Sequence, residues 1–332
     1  MSYTKAASYG PIPTINGRDT FKGKSEQFRS TLFPKPPDSD TSLPPLPPRW
    51  RSYQVGPWKW EPLSEEELST ACSASKVKGK TPGPDGITQE IISKAYEAIP
   101  IAFLQLYSTL LSQGYQPRCW RQAIGVILPK PNKPNYAVPK AYRIICLLNC
   151  LGKVSERLLA NRLSQLAETG PLLHNSQMGG RPKRSAVDTA LLFTDFVERS
   201  KVKGHKTSAV FLDIKGAFDH IRQARLLQIL VLKRLLYAIV DWVLSFLQGR
   251  LVRLAFDGQT EELQEVETGV PQGSPISPIL FLIYVSEMIA GTPGVKQLSY
   301  IDDFGLLTAS TSLRKNARIL QRVVEVLIAQ GN

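Results

Sequence analysis

The spacing of apolar residues changes period along the chain, and each period predicts a different element. Apolar side chains at every third or fourth position predict helices, whereas runs of β-branched and apolar residues bounded by turn residues predict strands. Helices are predicted at 151–168, 185–200, 221–232, 237–248, 275–290 and 313–330, and strands at 121–129, 142–148, 207–214, 251–256 and 262–268 and in a strand–turn–strand at 296–308. Helices interleaved with strands, together with a late antiparallel hairpin, predict an α+β fold.

Residues 1–60 lack this periodicity and are rich in proline instead. They contain Pro-Lys-Pro-Pro at 34–37 and Pro-Pro-Leu-Pro-Pro at 44–48, and proline removes backbone donors and favours extended geometry. We therefore expect a linker or wrapping arm over residues 1–60, with an SH3-type ligand as the sharper alternative. Residues 61–120 are predicted to be helical, because Ser64 and the glutamate three residues later form a capping box.

The charge of the chain adds a candidate partner. Lys and Arg number 41 against 28 for Asp and Glu, so the net charge is +13, which favours a polyanion, most commonly nucleic acid. A basic protein kept soluble by its charge is the alternative. The four cysteines form no C-x-x-C pair and the three histidines lie far from them, which disfavours a zinc site and predicts a reduced intracellular protein. No signal peptide and no apolar run of membrane-spanning length is predicted.

Two apolar stretches contain carboxylates of the kind that bind metal ions. Asp302 and Asp303 interrupt the run LSYIDDFGLL at 298–307, and Asp213 ends a predicted strand in VFLDIKGAFD, which carries a further carboxylate at Asp219. Aspartate is also an ordinary turn residue. Carboxylates gathered at strand ends repel one another unless cations neutralise them, and oxygen ligands suit Mg²⁺. Two such ions about 4 Å apart are the recurring device for phosphoryl displacement.

A loop rich in glycine and proline precedes one of the predicted helices. In GVPQGSPISP, which spans 269–278, Gly269 and Gly273 permit positive φ and a close approach of the backbone, and Gln272 and Ser274 offer polar contacts. The alternative interpretation is a loop that merely starts a helix.

These segments and several others resemble the motifs of the reverse transcriptases of non-LTR, LINE-type retrotransposons, and they occur in the same order. The motifs are KTPGPDGI at 80–87, AYRIICLLN at 141–149, LGKVSER at 151–157, QMGGRP at 177–182, FLDIKGAFD at 211–219, GVPQGSP at 269–275 and YIDD at 300–303. Residues 10–33 resemble the segment that joins the endonuclease of that family to its polymerase. The resemblance covers nearly the whole chain.

The resemblance implies a fold and an activity. It implies the fingers and palm of a right-hand polymerase at 121–332, with the helical stretch at 61–120 as an extension of the fingers. The expected activity is RNA-directed DNA polymerisation, in which dNTPs are added to the 3′-hydroxyl of a DNA primer on an RNA template. Two Mg²⁺ ions, which Mn²⁺ could replace, are the expected cofactors, and a nuclear location is expected for a protein of this family.

The functional residues of the family fall on matching positions of this chain. Asp213, Asp302 and Asp303 are expected to act in catalysis and metal binding, with the Ile214 carbonyl as a further metal ligand. The residues expected to bind the nucleotide are Lys130, Arg143, Phe218, Gln272 and Gly273. Those expected to bind primer or template are Tyr300, Gly269 and Ser274. Phe218 occupies the steric-gate position, where an aromatic edge would exclude a ribonucleotide 2′-hydroxyl. An ordinary core phenylalanine, and solvated charges at Lys130 and Arg143, are the alternatives.

The sequence departs from the family pattern in three places. Ile144 and Cys146 stand where the family has Pro and Ser, and the linker at 232–238 lacks the usual Gly-x-Pro-type turn. Only 29 residues follow Asp303 in the 332-residue chain. We therefore expect a fragment that lacks the thumb and the upstream endonuclease of the family. Two other functions stay open: a catalytically silent nucleic-acid-binding remnant, and an RNA-dependent RNA polymerase, which the residues before the aspartates of YIDD and the aromatic gate disfavour.

Overall fold

Ten α-helices and eight strands occur in the computed structural model, which describes residues 10–35, 58, 60–73, 79–214, 216–289 and 294–331. The helices are α1 (Phe21–Leu32), α2 (Glu65–Ser73), α3 (Gln89–Ala98), α4 (Pro100–Ser112), α5 (Cys150–Thr169), α6 (Ala186–Val202), α7 (Gln223–Leu232), α8 (Tyr237–Leu247), α9 (Ser277–Ile289) and α10 (Leu313–Gly331). The strands are β1 (Gln122–Pro129), β2 (Tyr142–Leu148), β3 (Lys206–Asp213), β4 (Arg250–Phe256), β5 (Gln259–Thr260), β6 (Gln264–Val266), β7 (Lys296–Tyr300) and β8 (Asp303–Ser310).

Downstream of residue 120, every helix and strand that the hydrophobic periodicity predicts is present in the structure. The ends of the observed helices and strands differ from the predicted ends by at most two residues. The capping box before α2 is also confirmed: the Ser64 amide donates to the Glu67 carboxylate and the Glu67 amide donates to the Ser64 hydroxyl, both at 3.2 Å.

Residues 10–35 differ from the extended arm that their proline content predicts, because they contain helix α1. Phe28 of this helix is fully buried and packs edge-on against Tyr142 and Phe256, with ring centroids 5.2 and 5.4 Å away. Apolar residues seven and four apart in α1 give the helix a face that the core can bury, and this outweighs the prolines that flank it. The proline repeats lie outside the described residues, except for Pro34-Lys35.

The chain divides into two compact units, of which the first comprises residues 1–158 and 218–277 and the second residues 159–217 and 278–332. In the first unit, the strands form a sheet in the order β2–β1–β4–β5, with β6 also paired to β4. β1 runs antiparallel to β2 and parallel to β4. Alternate residues of β1 and β4 are buried, so one face of the sheet forms the core of this unit.

The hairpin predicted around Asp257-Gly258 is confirmed, but its second strand is interrupted. Both turn residues have positive φ, 50° and 72°, as a two-residue hairpin turn requires. Between β5 and β6 the Glu261 carboxylate accepts a hydrogen bond from the Leu254 amide at 2.8 Å and another from Arg29 of α1 at 2.7 Å. The Glu261 side chain therefore bonds to the backbone of β4 where the second strand is interrupted, and it also connects α1 to the sheet.

In the second unit, three antiparallel strands form a sheet in the order β3–β8–β7. Helix α10 covers one face of this sheet, where Leu320 and Val323 pack with Leu306 of β8. The Asn316 amide of α10 donates to the Lys206 carbonyl at 2.6 Å, so the helix is fixed to the sheet by a polar contact as well. Among the described residues, none of the helices combines the length and the apolar character that a membrane crossing requires.

Candidate functional site

Three carboxylates lie at one end of the sheet of the second unit. Asp213 is the last residue of β3 and the cross-strand partner of Asp303, the first residue of β8. Asp302 lies in the two-residue turn between β7 and β8, and its carbonyl accepts a hydrogen bond from the Ile214 amide at 3.4 Å. Side chains directly opposite in an antiparallel pair are close neighbours. The strand register therefore brings together the residues that the sequence analysis assigned to one metal site.

The chemistry of these carboxylates fits a hard cation. Asp213 and Asp303 are exposed and Asp302 is half-buried, and none of their side chains has an ion pair or hydrogen bond with any residue in the described ranges. Asp213 and Asp303 line a cavity of about 600 Å³ together with Tyr300 and Phe211. Carboxylate oxygens are the ligands that Mg²⁺ takes in proteins. As the side chains stand, however, no three His, Cys, Asp or Glu residues in the described part of the chain are arranged to hold one ion.

The turn that carries Asp302 has a strained backbone. Ile301, the other turn residue, has φ +60°, a conformation that a β-branched side chain rarely adopts. Backbone strain of this kind persists only where the surrounding structure holds it, and it clusters at functional sites.

The surrounding structure here is the loop that contains QMGGRP. The Met178 amide donates to the Ser299 carbonyl at 2.8 Å, and the buried Gln177 amide group accepts from the Ser299 hydroxyl at 2.6 Å. A Cβ atom on Gly179 would lie 2.5 Å from the Ile301 nitrogen. The loop therefore lies directly against the backbone of the turn, and only glycine allows this approach.

In the first unit, the loop between β6 and α9 is held by hydrogen bonds at several points. Gly269 and Gly273 have the predicted positive φ, +66° and +112°. A Cβ atom on Gly273 would lie 2.7 Å from the Cys146 carbonyl oxygen, and the Gln272 carbonyl accepts from the Cys146 amide at 2.7 Å. The buried Arg250 guanidinium donates to the Gly269 carbonyl at 2.9 Å. The loop is thus preorganised on β2 and β4.

Ser274, which was expected to contact primer or template, points its hydroxyl into the interior of the first unit. The hydroxyl donates to the Glu156 carboxylate, and Glu156 is fully buried in α5. Burial raises the pKa of Glu156 to about 7, although the Ser274 hydrogen bond and the charges of Lys153 and Arg157 act in the opposite direction. The second Glu156 oxygen has no hydrogen-bond partner among the described residues. The sequence pattern around Glu156 does not predict that this carboxyl is buried.

The raised pKa makes Glu156 a source of pH-dependent stability. Its pKa rises from an ordinary value of 4.5 to about 7 on folding, so between these values the folded chain binds more protons than the unfolded chain. The free energy of unfolding therefore falls as pH rises through this range, by an amount on the order of 3 kcal/mol, and stays low above it.

Replacing Glu156 with glutamine is expected to remove this pH dependence, because glutamine can still accept from Ser274 and does not titrate. The variant should have a higher urea midpoint than the wild type at pH 8 and a similar midpoint at pH 5. The exposed Glu262, replaced with glutamine, is the charge-matched control and should reproduce the wild-type difference between the two pH values. An equal pH dependence in the wild type and in Glu156→Gln would contradict the assignment.

The other residues predicted to bind nucleotide lie in the first unit, in three different settings. Arg143 is exposed on β2, opposite Leu128 of β1. The Lys130 ammonium donates to the Lys140 carbonyl at 3.3 Å. Phe218 is half-buried, and its carbonyl accepts a hydrogen bond from the Val270 amide of the glycine-rich loop at 2.9 Å.

Comparison with known proteins gives consistent results. The sequence model of the family described as "Reverse transcriptase (RNA-dependent DNA polymerase)" matches residues 128–331. The chain is 30% identical over 278 residues to the probable RNA-directed DNA polymerase from transposon BS of Drosophila melanogaster, a match that covers 81% of this chain and 30% of that protein. It is 29% identical to the RNA-directed DNA polymerase from the mobile element jockey of the same species, over 78% of this chain and 29% of that protein.

Two further similarities are more distant. A Pol polyprotein from the type-1 retrotransposable element R1 of Bradysia coprophila is 28% identical, over 89% of this chain and 28% of that protein. Among solved structures, apo telomerase from Candida tropicalis, truncated from its C-terminal domain, matches with a TM-score of 0.47 and 13% identity, over 70% of this chain and 52% of that one. The chain spans about 30% of the length of the curated relatives it matches.

Proposed function

Because the chain belongs to the reverse transcriptase family and is related to the enzymes of non-LTR retrotransposons, we propose that it is an RNA-directed DNA polymerase. Its reaction is the attack of a primer 3′-hydroxyl on the α-phosphorus of a dNTP, which releases pyrophosphate. One observation carries this proposal: three accessible aspartates lie at one end of the sheet of the second unit. Asp213 lies opposite Asp303, and Asp302 lies in the adjoining turn.

The proposal assigns metal binding to the second unit. Asp213, Asp302, Asp303 and the Ile214 carbonyl would hold two Mg²⁺ ions, and Mn²⁺ could take their place. Bound there, the ions would supply the charge that activates the primer hydroxyl and stabilises the leaving pyrophosphate. The aspartates have no competing side-chain partner in the described ranges, so they can rotate toward a ligand without breaking other contacts. Tyr300, half-buried at the end of β7, would contact the primer end.

The proposal assigns nucleotide binding to the first unit. Arg143 and Lys130 would bind the triphosphate, because Arg offers paired donors and Lys a point charge. Gln272 and Gly273 would contact the nucleotide, and Phe218 would exclude a 2′-hydroxyl. Gly269 would contact template or primer directly. Ser274 would contribute indirectly, by holding the loop in place, because its hydroxyl donates to Glu156. As the family resemblance implies, we assign residues 121–332 to fingers and palm and residues 61–120 to an extension of the fingers.

A silent nucleic-acid-binding remnant is the second candidate. It is favoured by one observation, namely that among the described residues the carboxylates as placed do not form a group that could hold an ion. The net charge of +13 supports nucleic-acid binding in both cases, and such binding weakens steeply with salt.

Primer extension with metal removal distinguishes the two candidates. We expect the protein to extend a DNA primer on an RNA template with dNTPs and Mg²⁺, to stop when EDTA is added, and to resume when Mg²⁺ is restored in excess. In parallel, binding of the RNA–DNA hybrid is measured at salt concentrations from about 50 to 300 mM, because phosphate contacts weaken over this range. Salt-sensitive binding without any extension would favour the silent remnant, and extension that survives EDTA would contradict the metal assignment.

A further inference from the structure

The segment that follows Phe218 is tied to the glycine-rich loop by three hydrogen bonds within the first unit. The Phe218 carbonyl accepts from the Val270 amide and the Ile221 carbonyl accepts from the Gly269 amide, both at 2.9 Å. The third bond joins side chains: the Gln272 amide nitrogen donates to the Asp219 carboxylate at 3.1 Å. The turn that carries the proposed gate and the loop that carries Gln272 are therefore fixed to one another.

The approach of the two segments is close enough to depend on glycine. A Cβ atom on Gly269 would lie 2.6 Å from the Phe218 carbonyl oxygen and 2.8 Å from the Asp219 carbonyl oxygen. Because these oxygens belong to the backbone, only glycine at position 269 allows the two segments to lie this close while they are joined by hydrogen bonds. A change in one segment will accordingly be transmitted to the other.

The third hydrogen bond also determines how the Gln272 side chain is oriented. An ionised carboxylate has only acceptors, so the NH₂ group of a neighbouring amide must face it, and the amide oxygen must face away. Burial raises the pKa of Asp219, and the Gln272 hydrogen bond and the charges of His220 and Lys130 oppose this rise. Gln272 therefore presents its NH₂ group to the Asp219 carboxylate, and its carbonyl oxygen is directed away from the carboxylate as an acceptor for a ligand.

We propose that Asp219 is a positioning residue for nucleotide selection, which holds the Gln272 amide in one orientation and holds the turn of Phe218 against the loop. The inference rests on the proposed function. We assign Asp219 no contact with the nucleotide; its side chain acts through the hydrogen bond to Gln272, which also holds the turn of Phe218 against the loop. It is therefore a determinant of the choice between deoxyribonucleotides and ribonucleotides.

Three variants at pH 8 test this role by the ratio of kcat/KM for dATP to that for ATP in primer extension. Asp219→Ala removes the acceptor and should lower the ratio about tenfold, chiefly through a higher KM for dATP, because it leaves the amide unpaired. Asp219→Asn restores a hydrogen bond but permits either amide orientation. It should therefore melt like the wild type and still lose selectivity. Glu262→Ala removes one exposed charge and should leave the ratio unchanged.

A purely structural role gives a different pattern. In that case Asp219→Asn would show the selectivity of the wild type, and this result would overturn the proposal. Gln272→Ala combined with Asp219→Ala should be no worse than Gln272→Ala alone, since both changes disrupt the same contact; additive losses would also contradict it. If Asp219→Ala does not fold, the Asp219→Asn ratio decides the question by itself.

A binding measurement separates this inference from the proposed function. The shift in melting temperature that dATP or ATP produces is recorded for the same proteins without template or primer. A larger shift with dATP than with ATP in the wild type, lost in Asp219→Asn, would support the role of Asp219 even if no extension were detected. Equal shifts in the wild type and in Asp219→Asn, together with no extension, would overturn it.

Discussion

Replacing Asp302 with asparagine is expected to lower the rate of primer extension by at least about 10³-fold, and Asp213→Asn is expected to do the same. Both changes keep the size of the side chain and remove the charge that would bind the cations. Asp213 lies at the end of β3 and Asp302 in the turn between β7 and β8, so two different segments must supply a ligand. Single-turnover extension at saturating dNTP and Mg²⁺ measures the effect.

The control for this prediction is another aspartate of the second unit. Asp195 is exposed on α6 and forms an ion pair with Arg199 one turn away at 2.7 Å, a contact that contributes little to stability. Asp195→Asn should extend primers at the wild-type rate. Both carboxylate variants should keep wild-type melting temperatures, because neither Asp213 nor Asp302 has a side-chain partner among the described residues. Extension by Asp302→Asn at more than a tenth of the wild-type rate would contradict its role as a metal ligand.

The elements of this chain could be predicted because their signals are local. The apolar spacing of α10 and the β-branched run of β3 depend on neighbours within a few residues, and so does the turn at Asp257-Gly258. The positive φ of Gly273 could be anticipated for the same reason, since glycine is the residue that adopts it without strain. Helix α1 is not predicted, because the prolines on either side of it give a stronger local signal than its apolar face.

The contacts that support the candidate site could not be predicted, because they join residues far apart in the sequence. Glu156 lies in LGKVSER, where charges one helical turn apart are typical of an exposed face, yet its partner Ser274 is 118 positions away. The sequence shows Asp219 as a carboxylate that follows a predicted strand, but its partner Gln272 is 53 positions away. Family resemblance pointed to the right segments without saying which side chain meets which.

The family and the structure support one another, because the family indicates the class of reaction and the structure shows which residues lie together. The family assignment rests on the match to residues 128–331 and on about 30% identity to relatives. The structure shows where strand pairing places Asp213 and Asp303, and how the loop that contains QMGGRP is held against the turn that carries Asp302. Of the two glycines in this loop, Gly179 lies directly against the backbone of the turn.

Replacing Gly179 with alanine is expected to damage both stability and activity. The added Cβ atom would lie 2.5 Å from the Ile301 nitrogen and 2.8 Å from the Tyr300 carbonyl carbon. Because these are backbone atoms of a turn that is already strained at Ile301, relief requires displacement of the turn itself. Overpacking of this kind costs about 1–3 kcal/mol, and a displacement of about 1 Å at reacting groups can lower a rate about 10²-fold.

The matched control is Gly305→Ala in β8 of the same unit. Its Cβ atom would lie 3.3 Å from the Phe211 ring and, at an ordinary contact distance of 3.6 Å, from the Leu298 carbonyl oxygen. Phe211 is 70% exposed, so its ring can move aside at little cost. Urea midpoints and extension rates are compared for the two variants. Gly179→Ala should lose about 2 kcal/mol of stability and most of its activity at saturating dNTP, whereas Gly305→Ala should stay close to the wild type in stability. Equal losses in the two variants would show that any added methyl group disturbs this sheet. Wild-type activity in Gly179→Ala would show that the loop does not position the aspartate turn.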